Sequence, residues 1–294
     1  MELLHFISQF RSDTGNLIFQ AITWMAQEPV VIAIICWLFW CANKKLAYTL
    51  GFTYFTSGIL VQGLKITFRI PRPWVLDPDF EAVASALPDA TGYSFPSGHT
   101  QSVTALFGVI GLHVRRILRI LCFAIIFLVG FSRMYLGCHT LKDVLTSFVL
   151  SSVCVYFCYS FFYKKDLLEK NVRLTAIIFS CVSILLAIYS CILNASGMIE
   201  LEYAQDCLKA SGAGVAFAVG YYIEVTHLNF CTEAAFSTKL IRFLIGLFVA
   251  LLLQIGLKPV LGTSLFACFM RYFLVVLWII AIYPFLFSRK IRKL

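Results

Sequence analysis

A short polar stretch between two apolar runs, from Ser132 to Asp143, contains side chains that could carry out group-transfer chemistry. His139 and Asp143 are four residues apart, so on a helix they would share one face. The Asp143 carboxylate could then accept the Nδ1–H of the imidazole and leave Nε2 as a directed base or nucleophile. Arg133, six residues before His139, offers a planar fork of donors suited to a phosphate. Taken alone, the stretch fits equally well a polar loop between two membrane helices with an incidental capping Asp.

A second polar segment lies at the end of an earlier apolar run and contains Lys65 and Arg72. Pro71 and Pro73 would end the helix and fix the chain that presents Arg72. Lys65 by itself is as well explained as a lysine at the end of a span, with its ammonium reaching the membrane surface.

A third segment, Tyr93 to Thr100, precedes another apolar run and contains the sequence Pro-Ser-Gly-His. Ser97 is a natural N-cap for the following helix, and Gly98 would let a ligand approach the backbone closely. A helix start provides free N–H groups and the positive end of the helix dipole, which together bind anions. His99 alone is more often a histidine of the first helical turn than a catalyst.

Together the three segments describe an oxyanion site suited to phosphate, because they combine three cations, a helix N-terminus and two histidines. Charged residues inside a membrane protein are costly and are by default functional. The sequence has no Asp, Glu and His cluster with the spacing of metal ligands beside this site, which is consistent with a site that uses no metal and no other cofactor.

The order and spacing of these residues, K-x6-R-P, then P-S-G-H after 22 residues, then S-R-x5-H-x3-D after 32 more, resemble the type-2 phosphatidic acid phosphatase superfamily. That superfamily also contains glucose-6-phosphatases and vanadium haloperoxidases. Every motif residue matches, and the resemblance covers about residues 20–163. Residues 173–294 lie outside it.

The resemblance implies a role for each matching residue. His139 would attack phosphorus and form a phosphohistidine, Asp143 would orient His139, and His99 would protonate the leaving oxygen. The residues expected to bind the phosphoryl oxygens are Lys65, Arg72, Ser97, Gly98 and Arg133. Cationic donors around the equatorial oxygens, with a nucleophile in line with the leaving group, are what phosphoryl transfer requires.

The composition indicates an integral membrane protein. The 294 residues are 60% hydrophobic and 13% charged, with a mean hydropathy of +0.86, whereas soluble domains are about 45–50% apolar and about 25% charged. The net charge of +9 does not indicate nucleic-acid binding, because most basic residues lie in short loops between apolar runs. No cleavable signal is visible at the N-terminus. The eleven cysteines fall mainly inside apolar runs and include no C-x-x-C pair.

The chain is predicted to fold as an all-α membrane helix bundle with about nine transmembrane helices. The predicted organisation has three parts: an interfacial amphipathic segment over 1–27, a phosphatase core over 28–163, and a C-terminal transmembrane extension of unknown role over 164–294. The expected spans, each near the ~20 residues that a helix needs to cross, are 28–42, 46–69, 98–114, 117–136, 141–163, 173–195, 209–225, 239–257 and 264–287.

The orientation of the bundle follows from its loops. One alternating set of loops contains 15 of the 24 Lys and Arg residues and ends in the cluster Arg289, Lys290, Arg292 and Lys293. This set is predicted to be cytoplasmic, because basic loops remain inside. The site would then be on the outer face of the plasma membrane.

The leading functional hypothesis is a phosphatase that removes the phosphate of a lipid phosphate or an isoprenoid diphosphate at the outer leaflet. The alternatives are a small-substrate phosphatase of the glucose-6-phosphatase kind and a non-catalytic lipid-binding or transport protein. A haloperoxidase is disfavoured, since those enzymes are soluble. The expected partners are the bilayer and the lipid substrate but no nucleic acid, and the sequence leaves a homo-oligomer open.

Arg271 lies several residues inside the last predicted span, where a charge is costly unless it is paired or hydrated. Two interpretations remain open from the sequence. The side chain could line a vestibule to the phosphate site, or it could pair with an outer-face carboxylate such as Glu200 or Glu202.

The predicted topology can be tested by placing a cysteine at Asp79, in the acidic loop 74–95. We expect an impermeant thiol reagent to label Asp79→Cys on intact cells, because this loop is predicted to face outward. The wild-type chain, with its own eleven cysteines, provides the background. Labelling that requires permeabilised cells would reverse the topology.

Overall fold

A computed structural model describes residues 1–291, which form an all-helical fold without strands; 81% of these residues are helical. The all-α prediction is therefore confirmed. The helices are α1 (Glu2–Ser8), α2 (Asp13–Trp24), α3 (Glu28–Trp37), α4 (Lys44–Phe68), α5 (Pro73–Leu76), α6 (Gly98–His113), α7 (Arg116–Tyr135), α8 (Leu141–Cys158), α9 (Leu167–Lys170), α10 (Val172–Ala195), α11 (Leu201–Ile223), α12 (Phe236–Leu261), α13 (Leu265–Leu277) and α14 (Tyr283–Ile291). Short π-helical segments follow α3, α8, α11 and α13.

Among residues 1–291, five helices are long and apolar enough to cross a membrane. A sixth span results if α2 and the helix over Glu28–Ala42, which are bent by 41° at their junction, count as one. The protein is thus a multi-pass membrane protein, but the predicted count of nine is not confirmed. One reason is length, because α6 has only 16 residues. Another is composition, because α4 and α11 contain several charged and small residues. The five helical spans are Arg116–Tyr135, Leu141–Lys164, Val172–Ala195, Phe236–Leu261 and Leu265–Ser288.

The chain forms two compact units. Unit 1 contains Met1–Val31 and Thr56–Tyr159, and unit 2 contains Ile32–Phe55 and the chain from Ser160 onward. The three-part organisation expected from the sequence remains a prediction. The C-terminal basic cluster used for the orientation includes Arg292 and Lys293, which lie outside the described residues.

In unit 1, α6 packs against α7 and α8, and α7 also contacts α1 and α2. Polar caps fix where two of these helices begin. Ser97 is the N-cap of α6, as predicted, and its hydroxyl accepts from the Thr100 N–H. Thr140 and Asp143 form a capping box at the start of α8, in which each side chain accepts from the other residue's backbone N–H. Because these caps satisfy otherwise unpaired N–H groups, they place both helix starts in defined positions.

In unit 2, α11 packs closely against α10 and α13 along a face rich in small residues. A Cβ added at Gly212 would lie 2.2 Å from the carbonyl oxygen of Phe269, and one at Gly220 would lie 2.9 Å from the side chain of Ile280. Near the far end of α11, buried Glu224 accepts from Lys44 Nζ at 2.8 Å and from the Tyr48 hydroxyl at 2.6 Å. Small residues from the middle of α11 onward and this charge pair at its C-terminal end therefore hold the helix in place.

Arg271 lies on the buried side of α13 and is 7% exposed. Its Nε and Nη1 atoms are buried without a hydrogen-bond partner, so neither atom pairs with Glu200 or Glu202.

We expect Gly212→Ala to destabilise the protein, because the atom nearest to the new Cβ is a main-chain oxygen that cannot rotate away. Overpacking of this kind costs about 1–3 kcal/mol. Gly256→Ala on α12 is the matched control, since its Cβ would meet nothing within 4 Å and alanine favours helix by up to ~1 kcal/mol. Thermal unfolding of both variants in the same detergent measures the difference. Equal melting temperatures would contradict close packing at Gly212.

Candidate active site

The loop that joins α7 to α8 is folded back by hydrogen bonds to one carbonyl. The Arg133 carbonyl oxygen accepts from the backbone N–H of Cys138 at 2.9 Å and of His139 at 3.2 Å. Gly137 has φ +80°, and a Cβ there would lie 3.1 Å from the backbone of Ala82. Glycine is therefore required at this turn. The result is that Arg133 and His139 are held at the two ends of one compact loop.

The imidazole of His139 is buried and contacts a cation on one side and a hydroxyl on the other. Arg72 Nη1 lies 2.9 Å from His139 Nε2, so Arg72 donates and Nε2 accepts in the tautomer that carries its proton on Nδ1. Nδ1 lies 3.5 Å from the Ser94 hydroxyl oxygen and 3.6 Å from Asp143 Oδ2. The lone pair of Nε2 is therefore directed at Arg72.

Asp143 is buried and is held mainly by groups other than His139. Its Oδ2 accepts from the Ser94 hydroxyl at 2.6 Å and from the Thr140 N–H at 2.8 Å. A direct bond from His139 Nδ1 to Asp143 was predicted from the sequence. The structure places the Ser94 hydroxyl within reach of both groups, so Ser94 can link the imidazole to the carboxylate.

The cations Lys65 and Arg72 are anchored by consecutive main-chain carbonyls of the loop that precedes α6. Arg72 donates to the carbonyl oxygens of Thr91 and Gly92, and also to that of Cys138 at 3.0 Å. Lys65 donates to the carbonyl oxygen of Tyr93. Both side chains are buried, with 6% and 7% exposure. Neutral carbonyl dipoles thus hold the two positive charges in place.

Arg133 is completely buried near the end of α7 and retains unused donors. Its Nη1 donates to the Thr23 hydroxyl of α2 at 3.1 Å. Its Nε and Nη2 are buried without a hydrogen-bond partner. Buried donors in native proteins are nearly always satisfied, and these two donors on one edge of a guanidinium match the oxygens of a phosphate.

His99 occupies the first turn of α6, directly after Gly98. Its Nε2 is also buried without a hydrogen-bond partner. A Cβ added at Gly98 would meet nothing within 4 Å, so the space in front of this backbone is open. The Ser97 N–H donates to the Asp143 carbonyl and the Ser147 hydroxyl donates to the Ser97 carbonyl. These two bonds join the start of α6 to α8.

The electrostatics of the site follow from its excess of buried cations. Burial lowers the pKa of His139 well below its ordinary value, and the charges of Arg72, Arg133 and Lys65 lower it further. The same three cations and His139 also act electrostatically on His99. The structure therefore brings together His99, His139 and the three cations, and keeps His139 neutral at physiological pH.

Two side chains in this site were not assigned a role from the sequence. Ser94 lies in the segment that was singled out, but a serine three residues before an N-cap carries no signal of its own. Thr23 lies in the N-terminal segment, more than a hundred residues before its partner Arg133, and only the fold brings the two together. Among residues 1–291, no group of three or more His, Cys, Asp or Glu side chains could hold a metal ion.

Family models and individual known proteins match parts of this chain. The model of the PAP2 superfamily matches residues 46–167, and the model of the PAP2 superfamily phosphatase transmembrane extension matches residues 208–291. The undecaprenyl-diphosphatase BcrC of Bacillus subtilis (strain 168) is 26% identical over 181 residues, which cover 61% of this chain and 89% of that protein. The crystal structure of Aquifex aeolicus LpxE is 23% identical, covers 54% of this chain and 93% of its own, and has a TM-score of 0.47.

The helical membrane fold and the two family matches define a multi-pass membrane phosphatase. The chain belongs to the PAP2 superfamily, the type-2 phosphatidic acid phosphatase superfamily that its motifs resemble. The second match falls in a region where the sequence analysis found no resemblance, so the C-terminal helices are also a family feature.

The lowered pKa of His139 predicts the acid side of the pH profile. Neutral imidazole is the nucleophilic form, so kcat/KM should fall only well below pH 6.5, the ordinary histidine value. Arg133→Gln removes one of the charges that lower this pKa, and the acid limb should therefore move to higher pH. Arg119→Gln, near the start of α7, is the matched control and should leave the limb in place.

The measurement is kcat/KM against pH with p-nitrophenyl phosphate for all three proteins, so that the ionisation of the substrate cancels in the comparison. An acid limb at or above pH 6.5 in the wild type, or the same limb in Arg133→Gln, would contradict an electrostatic origin of the lowered His139 pKa.

Proposed function

We propose that the protein is a metal-independent phosphatase that hydrolyses a lipid phosphate or an isoprenoid diphosphate at the outer leaflet through a phosphohistidine. The observation that supports this most directly is a set of unused polar atoms beside His139. Arg133 Nε and Nη2 and His99 Nε2 are buried without partners. A phosphoryl group seated there would accept from the arginine and place its leaving oxygen near His99.

In the first step of the proposed reaction, His139 Nε2 attacks phosphorus and the bond from phosphorus to the leaving oxygen breaks. His99 gives its proton to that oxygen. Arg72 Nη1 now hydrogen-bonds to Nε2 and would transfer its bond to a phosphoryl oxygen as the new P–N bond forms. Lys65, Arg133 and the N–H groups after Ser97 would stabilise the remaining charge.

In the second step, a water molecule attacks the phosphohistidine and gives its proton to His99, and the P–N bond breaks to release inorganic phosphate. Asp143 and Ser94 have a positioning role in both steps, because together they hold the imidazole by its Nδ1 side. The positive charges come entirely from side chains in this scheme, so EDTA should leave turnover nearly intact.

The lipid nature of the substrate rests on two supports. Membrane helices carry the site, so a substrate with its tail in the bilayer can present its head group directly. The relative from Bacillus subtilis is named an undecaprenyl-diphosphatase, and an isoprenoid diphosphate is one of the proposed substrates. Phosphatidic acid, phosphatidylglycerol phosphate and a sphingoid-base phosphate are the others. The outer-leaflet, plasma-membrane location rests on the distribution of basic loops.

The proposed roles predict different substrate dependences for the two histidines. His139→Ala should abolish turnover and phosphoenzyme together on every substrate. His99→Ala should slow the turnover of a lipid phosphate by about 10²–10⁴-fold, the usual contribution of general acid catalysis. The loss should be clearly smaller on p-nitrophenyl phosphate, because its leaving group needs a proton less. The measurement is turnover of both substrates and trapping of labelled phosphate.

His113→Ala provides a matched control at the other end of α6 and should retain turnover on both substrates. Size-exclusion profiles check that each variant is folded. If His99→Ala loses the same factor on both substrates, or if His139→Ala still traps labelled phosphate, the assigned roles are wrong. A sugar phosphate that is turned over better than any lipid phosphate would favour the small-substrate alternative.

A further inference from the structure

An apolar cavity of about 440 Å³ lies within unit 1, next to the loop that carries His139. Helices α1, α2 and α7 form its walls. Its lining consists of Leu3, Phe6, Ile7, Phe10, Phe19, Phe131, Met134 and Tyr135. The volume falls within the ~300–1,000 Å³ that is typical of small-molecule sites.

The same two helices build this cavity and hold a cation of the phosphate site. Met134 and Tyr135, in the cavity wall, directly follow Arg133 on α7. Phe19, also in the wall, precedes Thr23 by four residues on α2, which places it on the same face and about 6 Å away along the helix. Thr23 in turn accepts from Arg133 at 3.1 Å. The cavity therefore begins one helical turn from a phosphate-binding side chain.

The wall of the cavity that Met134 and Tyr135 form continues into the core beside the loop between α7 and α8. Met134 and Tyr135 belong to a buried cluster that also contains Leu136 and Cys138, which lie three residues and one residue before His139. The rings of Phe19 and Tyr135 lie 4.1 Å apart and close one side of the cavity. A shift of Met134 or Tyr135 would also move the loop between α7 and α8, because the cavity and this loop share the same packed side chains.

The outer side of the cavity is formed by side chains that the fold leaves exposed. Phe6 and Phe10 on and after α1 are 57% and 65% exposed, and Leu3 is 42% exposed. Exposed aromatic and aliphatic side chains on a short helix of a membrane protein are typical of a segment at the membrane interface. An apolar chain could pass from the bilayer into the cavity between these residues.

We propose that this cavity binds the hydrocarbon tail of the lipid phosphate substrate, near the head group that occupies the phosphate site. The proposal rests on the proposed function and adds a specificity-determining tail site made by α1, α2 and α7. The proximity to Arg133 favours this occupant. A lipid whose phosphate is bound by Arg133 has its tail within reach of the cavity.

A tail bound in the cavity should mainly orient the phosphate of the substrate relative to His139. A tail that leaves the bilayer for the cavity moves from one apolar surrounding to another, so it gains packing contacts and little hydrophobic free energy. The gain comes from fixing the phosphate relative to His139, and loss of such positioning reduces turnover by large factors. The tail should therefore raise kcat/KM up to the length that fills the cavity and have little effect beyond that length.

The first experiment compares a variant that fills the cavity with a matched substitution outside it. Leu3→Trp adds a large side chain to the cavity wall. Leu17→Trp makes the same change on α2 at a residue that is 73% exposed and does not line the cavity. Both variants and the wild type are assayed at fixed detergent on single-chain alkyl phosphates of increasing length and on p-nitrophenyl phosphate.

For the wild type and Leu17→Trp, we expect kcat/KM to rise with chain length and then level off. For Leu3→Trp, the value on the longest chain should be about tenfold lower, and turnover of p-nitrophenyl phosphate should be unchanged. The tail site is disproved if Leu3→Trp keeps the wild-type dependence on chain length, or if it loses the same factor on the substrate without a tail.

A second experiment measures occupancy without turnover. Phe6→Cys in a His139→Ala background is labelled with a membrane-soluble maleimide, and mass spectrometry quantifies modification at position 6. A long-chain alkyl phosphate should slow this modification at least threefold, whereas inorganic phosphate and the matching alkyl alcohol should not. Equal protection by the alcohol would assign the cavity to ordinary bilayer chains, and protection that depends on protein concentration would assign it to a second copy; both results overturn the proposal.

The two experiments separate failure of the tail site from failure of the proposed function. If the wild type turns over neither lipid phosphate nor p-nitrophenyl phosphate, the proposed function fails, and the protection measurement alone decides the tail site. If turnover is normal but neither the chain-length dependence nor the protection appears, the tail site fails and the proposed function stands.

Discussion

The burial of positive charge is the constraint on which the rest of this site depends. Moving an ion from water into protein costs several kcal/mol even after the protein relaxes. Three cations, Lys65, Arg72 and Arg133, are buried within one cluster here. The carbonyls of Thr91, Gly92 and Tyr93 offset part of this cost for Arg72 and Lys65. Because consecutive carbonyls of one loop do this, the path of that loop fixes where the charges lie and, through Arg72, where His139 lies.

The residues singled out from the sequence lie together in the structure, but most of the hydrogen bonds between them could not be predicted from the sequence. Asp143 and the start of α6 could be identified because helix capping is a local rule. His139 lies before Thr140, the N-cap of α8, and so not on the helix face that its spacing from Asp143 suggested. The link through Ser94 could not be predicted, since it depends on how a loop without periodicity passes over α8. The Thr23 contact depends on the packing of α2 against α7. In both cases tertiary structure decides which of several plausible hydroxyls becomes the partner.

The fold shows the same division between local and tertiary determinants. A composition of 60% hydrophobic residues made an all-helical membrane protein predictable. The number of spans was less predictable, because an apolar run records where hydrophobic residues occur and not where a helix ends. The run at 98–114 was expected to cross the membrane, but the run is short, and the helix that covers nearly all of it has 16 residues. Ser97 and its partners fix the start of that helix at the phosphate site.

The site consists of two groups of residues: those in the folded-back loop between α7 and α8, and those contributed by other segments of unit 1. The backbones of Arg133 and His139 are joined through one carbonyl oxygen, so the distance between these two main-chain positions is set within seven residues. Arg72, Ser94 and Ser97 belong to other parts of unit 1 and are hydrogen-bonded to this loop and to α8. Loosening of the helix bundle would therefore separate these two groups while each stayed internally intact. The lateral pressure of the surrounding bilayer, which holds helices together, would then be a component of the catalytic apparatus, and detergents that relax it would inactivate the enzyme long before any helix melted.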